Sequence, residues 1–432
     1  MKIACITAGA GKMYCGSCLR DNALARALLD AGHDVLLIPT YTPTRTDEPN
    51  VSLNRVFLGG INIYLQHHFQ MFRKAPRIVD RLCNFRPFLQ FVSRLGMSVN
   101  PADLGGLTVS MLRGMNGPLR KEIIKLVRFL ADEISPQIVN IPNSLLISLA
   151  SAIKAELNVP VCCTFQGEDL FLSSLNEPYH MESIQLIRKH ADHVDTFIAV
   201  SHFAARRMSD YLGINGDRIQ VVPLGIHFDD FDFTNGSHRD IDPFTIGYLA
   251  RIAPEKGLHI LCEAYHILKT RDGQADSRLW AAGYLPPEQK PYLADIQKRL
   301  ASWKLSSQFR YHGELDRQGK LNFLKSINVF SVPGPYDDPK GLFLLEAMAC
   351  GIPVVQPRRG AFTEMVETTG GGILVDPESP DALAQALLEL WRDSAKRADL
   401  GTRAYKGVRA HYSVTHMAEA TLAIYESLIK PE

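Results

Sequence analysis

The sequence predicts an α/β fold made of two doubly wound parallel-sheet domains, and three observations carry that prediction. Short apolar runs alternate with helical periods along most of the chain, the pattern of strands covered by crossover helices. The alternation runs twice, with a polar, turn-rich stretch between the passes. The loops that follow the first apolar run of each pass are rich in glycine or in charge.

In the first pass, residues 3–8, 34–39, 137–140, 159–165, 197–201 and 219–223 read as buried strands. In the second, the runs are 244–250, 278–282, 308–312, 329–333, 353–356 and 372–375. Residues 1–225 are therefore expected to form one domain, 226–243 a linker and 244–411 a second domain. The last helical period, 412–432, is expected to pack back on the first domain. A segment from about 66 to 129 is helical in period and interrupts the first alternation, so it reads as an insertion.

Composition sets the broad class. The chain of 432 residues is 46% hydrophobic and 22% charged, which suits folded domains rather than disorder. A formal charge of +1 gives no electrostatic case for a nucleic-acid partner. The chain starts directly in a strand-like run, and no apolar run approaches membrane-spanning length, so the cytoplasm is the expected compartment. Within the insertion, Arg73, Lys74, Arg77, Arg81, Arg86 and Arg94 interleave with Phe69, Phe72, Phe85, Phe88 and Phe91. That stretch reads either as a helical hairpin with a solvated basic face or, over 66–95, as a peripheral membrane or acceptor contact.

The chemistry is expected in the loops beyond the carboxyl ends of the strands. After the first strand, Gly9, Gly11 and Gly16 would let main-chain amides approach a phosphate or sugar, at spacings that match neither a dinucleotide fingerprint nor a P-loop. After the strand 244–250, Arg251 and Lys256 flank Pro254, which suits the first turn of a helix, and two cations at a helix start suit a diphosphate. Near residue 341, Asp338 precedes Gly341, Leu342 and Phe343, and Glu346 is the single charge inside an apolar helical run. A buried charge needs partners, so Glu346 is expected to meet hydrogen-bond donors such as ligand hydroxyls. In the first domain, Gln166, Glu168 and Asp169 follow an apolar strand and are expected on the acceptor or sugar side. Paired acids also fit glycoside hydrolysis, which spacing does not decide.

Arg251 with Lys256, Asp338 with Glu346, and the following Ala-Met-Ala-Cys-Gly-Ile-Pro-Val-Val together resemble the retaining glycosyltransferases of the GT-B architecture, the group 1 and family four glycosyl transferases. The resemblance implies two Rossmann-like domains facing a central cleft and transfer of a sugar from a UDP- or GDP-sugar to a carbohydrate, lipid or small-molecule acceptor. It implies no metal and no cofactor beyond the nucleotide sugar. By it, Arg251 and Lys256 hold the diphosphate, Gly341 to Phe343 offer amides to the phosphate, Glu346 holds the ribose and Asp338 reads the sugar. Two positions depart from the family pattern: Asp338 stands where Glu is usual, and Gln166 where His is frequent. A catalytically silent sugar-nucleotide-binding protein, or a nucleotide-sugar epimerase on the same fold, are the other readings. The eight cysteines include Cys15 and Cys18 in the first glycine loop and the adjacent Cys162 and Cys163, which read as reduced thiols or, alternatively, as a four-sulfur cluster.

Overall fold

The computed structural model describes residues 1–9, 14–59, 101–231, 241–271 and 276–429. It divides into two compact units, Met1–Pro223 with Ala418–Glu432, and Leu224–Met417. Gly11 and the basic, aromatic stretch 66–95 lie outside the described residues.

The first unit runs β1 (Lys2–Thr7), α1 (Gly16–Asp30) and β2 (Asp34–Pro39). It continues with α2 (Pro101–Leu112), α3 (Arg120–Phe129), β3 (Ile138–Ile141), α4 (Leu149–Leu157) and β4 (Val161–Phe165). Then come α5 (Asp169–Ser173), α6 (Tyr179–Ala191), β5 (Thr196–Ala199), α7 (His202–Leu212) and β6 (Ile219–Val221). The six strands are all parallel in the order β2-β1-β3-β4-β5-β6. Strands β3, β4 and β5 are buried at every position, which is why they read as continuous apolar runs rather than as alternation. The described end of the predicted insertion is helical, with α2 packed on α6 and α3 on α4.

The second unit runs β7 (Phe244–Leu249), α8 (Leu258–Arg271), β8 (Ser277–Ala282), α9 (Lys290–Ser302), β9 (Phe309–Tyr311) and α10 (Arg317–Leu324). It continues with β10 (Val329–Phe330), α11 (Leu342–Ala349), β11 (Val354–Pro357), α12 (Gly360–Thr369) and β12 (Gly372–Val375). The helices α13 (Pro380–Arg392), α14 (Ser394–His411) and α15 (Val414–Leu428) complete the chain. Its sheet is again parallel throughout, in the order β12-β11-β10-β7-β8-β9. Both sheets are therefore open, doubly wound α/β sheets.

Two expectations change. The strand expected over 329–333 shrinks to Val329–Phe330, because the chain turns at once, with the Gly334 amide donating to the Val332 carbonyl at 2.8 Å. The stretch assigned to a linker begins inside the second unit. Ile226 donates to Tyr412 and accepts from Val414, and a Cβ on Gly225 would meet the Ser413 carbonyl oxygen at 2.4 Å. Leu224, Ile226 and Phe231 are buried there. The abundance of polar turn residues masked these three anchors. The final helix starts at Val414 in the second unit, and its residues from Ala418 onward belong to the first.

Candidate functional site

In the second sheet, β7 lies between β8 and β10, so the chain reverses its direction of winding there. The loops after β7 and β10 flank that switch point, the usual place for a ligand in an open α/β sheet. Pro254 does not open α8 as its position predicts. It opens a single 3-10 turn, Pro254–Lys256, and Gly257 with φ of 71° separates that turn from the helix. A Cβ on Gly257 would lie 2.1 Å from the Pro333 carbonyl oxygen, so only glycine lets the two loops touch.

That contact delivers Lys256 to Asp338, and the two form an ion pair in which the carboxylate is buried and the ammonium half-buried. Asp338 Oδ1 also accepts from the Lys340 amide at 2.9 Å and the Gly341 amide at 3.3 Å. Burial opposes ionisation of this carboxyl, but Lys256 and the amide of Lys340 outweigh it and hold the group below the usual carboxylate range. The main chain of Asp338 is fixed as well. Its carbonyl accepts from the Ala361 amide at 2.9 Å, and Gly360 approaches so closely that a Cβ would sit 2.6 Å from that oxygen.

Gly341 caps α11 with φ of 64°, and its amide is turned to Asp338. The amides of Leu342 and Phe343 open the helix and have no partner within it, so the positive end of α11 begins at these two residues. The Lys256 ammonium lies 5.5 Å from the centre of the Phe343 ring. Lys256, Asp338, Gly341 and Phe343 thus share one place. Arg251 pairs instead with Glu255 on its own turn.

Glu346 is buried, one turn into α11, as its sequence surroundings predict. The donor it meets is Lys320 of α10, whose ammonium lies 2.5 Å from Oε1. A lysine of the same unit thus supplies a balancing charge to Glu346 from within the protein.

In the first unit the three residues after β4 have been brought into the interior. Glu168 accepts main-chain amides from Ser144 and Gln166, both at 2.8 Å. Burial raises its carboxyl above the usual range, and those amides oppose the shift. Its two oxygens brace loops rather than facing outward. Gln166 Nε2 donates to Asp21 Oδ1 and to the Pro142 carbonyl, both at 3.0 Å. Asp169 pairs with Arg207 at 3.2 Å. In the first glycine loop, Gly9 is required by the fold, since a Cβ there would meet the Thr42 carbonyl oxygen at 1.8 Å. At Gly16, the first residue of α1, a Cβ would meet nothing within 4 Å. The four cysteines do not form a metal site: among the described residues, no group of three or more His, Cys, Asp or Glu side chains is placed to hold a metal ion.

Residues 231–407 match the family model described as glycosyl transferases group 1, and residues 106–230 match that of glycosyltransferase family 4. The two matches run without a break through the switch-point loops. Across residues 106–407 the chain belongs to the glycosyl transferases of these two models, group 1 in its second part.

Among the curated relatives of this group 1 chain is a GDP-mannose-dependent monoacylated alpha-(1-6)-phosphatidylinositol monomannoside mannosyltransferase of Corynebacterium glutamicum. It is 26% identical over 57% of this chain and 65% of its own length. A D-inositol 3-phosphate glycosyltransferase of Pseudarthrobacter chlorophenolicus is 28% identical over 54% of this chain and 56% of its own. The chain thus spans less than two thirds of the length of these relatives. Among solved structures, the Anabaena HepE protein in complex with UDP has a TM-score of 0.70 at 16% identity, covering 99% of this chain and all of that one. Sucrose-phosphate synthase from Thermosynechococcus elongatus has a TM-score of 0.71 at 18% identity, covering 99% and 98%. At these identities the structures show the shared GT-B fold.

Sequence reasoning missed Lys320 and Asp21 of the group 1 chain. Lys320 stands beside Leu321, Phe323 and Leu324, but Arg317, Gln318 and Asn322 share its helix, so its burial left no clear signal in the sequence. Asp21 is buried in α1, where Thr7 Oγ1 donates to it at 2.9 Å and Gln166 at 3.0 Å. Burial raises its carboxyl, with Arg20, Thr7 and Gln166 opposing.

Proposed function

We propose that this group 1 glycosyl transferase moves a sugar, with retention at the anomeric carbon, from a UDP- or GDP-sugar to a carbohydrate, lipid or small-molecule acceptor. The observation that carries the reading is the Lys256–Asp338 pair at the positive end of α11, on the switch point of a parallel sheet. An ammonium has three donors, and Asp338 takes one of Lys256. In this reading the other Lys256 donors, the Leu342 and Phe343 amides and the Arg251 guanidinium meet the diphosphate. Charge develops on that diphosphate as the glycosidic bond breaks, so donors aimed at it lower the barrier.

Asp338, held ionised, accepts from a hydroxyl of the sugar, and Glu346, held in place by Lys320, accepts from the ribose. The cations of the protein take the role that a divalent metal plays elsewhere, so transfer proceeds without one. Similar proteins support both donor classes: a GDP-mannose-dependent enzyme on one side, and HepE complexes with UDP and with UDP-glucose on the other.

Two measurements test the reading. Calorimetric titration with UDP, GDP and the matching nucleosides, on the wild type and Lys256→Ala, is expected to show the variant losing about ten-fold or more in diphosphate affinity while nucleoside affinity stays level. Equal losses would remove the diphosphate assignment. Transfer of labelled sugar from a UDP- and GDP-sugar panel, in the presence of EDTA, is expected to continue; tight donor binding without transfer to any acceptor or to water would favour a silent binding protein.

A further inference from the structure

The dithiol at the start of α1 is used by none of the chemistry above. Cys15 is the N-cap residue of α1, with extended φ and ψ of −111° and 126°, and Cys18 is three residues further along the first turn. Helix geometry places α-carbons three apart at about 5 Å, inside the roughly 4.4–6.8 Å that a disulfide spans. The two side chains are in hydrogen-bonding contact. Cys15 is partly exposed, whereas Cys18 is buried at 1% exposure.

We propose that Cys15 and Cys18 form a reversible intramolecular disulfide by exchange with a low-molecular-weight disulfide. Exposure assigns the attack to Cys15. The positive end of α1 favours its thiolate. The Cys18 thiol, whose proton is held by the contact with Cys15 and by burial, acts second. In the first step the Cys15 thiolate attacks one sulfur of the small disulfide, a mixed disulfide forms, and one small thiolate leaves and takes up a proton. Cys18 then loses its proton to water and attacks the Cys15 sulfur. The mixed bond breaks, the protein disulfide forms, and a second small thiolate leaves to be protonated. Two protein thiols are oxidised and one small disulfide is reduced to two thiols, so electrons balance. The other described cysteines, Cys5, Cys162, Cys163, Cys262 and Cys350, are buried, and burial pushes each of their thiols up.

The test uses the full chain treated with oxidised glutathione, quenched in acid, alkylated and mapped by mass spectrometry. Two of the eight cysteines are expected to resist alkylation and to appear as a linked Cys15–Cys18 peptide, with full alkylation restored by dithiothreitol. Cys18→Ala is expected to stop at a stable glutathione adduct on Cys15, and Cys15→Ala to leave Cys18 unmodified. Three results would overturn the proposal: a wild type that keeps all its thiols, a wild type that stops at the adduct, or a link through any other cysteine. Circular dichroism of each variant separates these results from failure to fold.

Discussion

Lys256 and Asp338 stand 82 positions apart and form one half-buried ion pair, placed there because Gly257 lets the loop after β7 lie against the loop after β10. The pair is a joint between two halves of the second sheet as well as a candidate part of the donor site. Removing either partner has a structural cost that must be separated from a binding cost.

Lys256→Met should make this cost depend on pH. With Lys256 present, the Asp338 carboxyl lies below its ordinary value, so its contribution to stability is present above about pH 4 and is lost only as pH falls further. Without Lys256, burial is the dominant influence and the same carboxyl moves up. Its folded pKa then exceeds the unfolded one, and the variant loses stability as pH rises from about 4 to 7. Chemical denaturation should show a deficit of about 2–4 kcal/mol at pH 7 that shrinks toward pH 4. A deficit independent of pH would mean that Asp338 has other compensation.

The Lys320–Glu346 pair is buried on both sides, at 10% and 11% side-chain exposure. Glu346→Ala leaves a buried ammonium and should cost about 3–5 kcal/mol, and Lys320→Ala should cost a similar amount. Changing both together, Lys320→Met with Glu346→Leu, should restore most of that stability, while affinity for a nucleotide sugar stays lost if Glu346 binds the ribose. Recovery of stability and affinity together would reduce Glu346 to a structural acid.

How much could be read in advance follows from these residues. The β2 bounds and both parallel sheets were legible because buried parallel strands leave unbroken apolar runs, and Asp34–Pro39 lies where the run predicts. Glu346 was legible as an anomaly, yet its partner was not, because Lys320 stands 26 positions away and the two meet only through their side chains in the folded unit. Glu168 shows the reverse failure: a polar residue after a strand looked ligand-facing, but its oxygens hold the amides of Ser144 and Gln166. Periodicity reports which face is buried and is silent on which main-chain amides end up there.

Gly360 tests how tightly the Asp338 backbone is fixed. Its φ of 54° and the 2.6 Å approach of a Cβ to the Asp338 carbonyl oxygen leave no room for Gly360→Ala without moving one of the two loops. Backbone strain of this kind costs about 1–3 kcal/mol. The variant should melt lower and bind a nucleoside diphosphate less well, because the displaced Asp338 main chain moves the carboxylate that Lys256 contacts. Unchanged affinity in a destabilised variant would show that Asp338 can shift without consequence for the ligand.

Gln166→Glu probes the first unit by charge. Gln166 Nε2 gives one proton to Asp21 Oδ1 and one to the Pro142 carbonyl, so glutamate at 166 would turn an oxygen toward each acceptor. The Asp21 carboxyl is already raised by burial, and the new acid would be raised by burial and by Asp21. Raised folded pKa values in acids mean that stability falls as pH rises past the unfolded value of about 4. The variant should therefore be less stable than the wild type by about 2–4 kcal/mol at pH 7, with the gap closing as pH is lowered toward 5. Gln166→Leu, which removes the donor without adding a charge, should cost about 1–3 kcal/mol. Its deficit should change less with pH. A glutamate variant whose deficit is flat across this range would show that Asp21 and residue 166 do not share a proton, and that the buried network of α1 and β4 is held by shape rather than by charge.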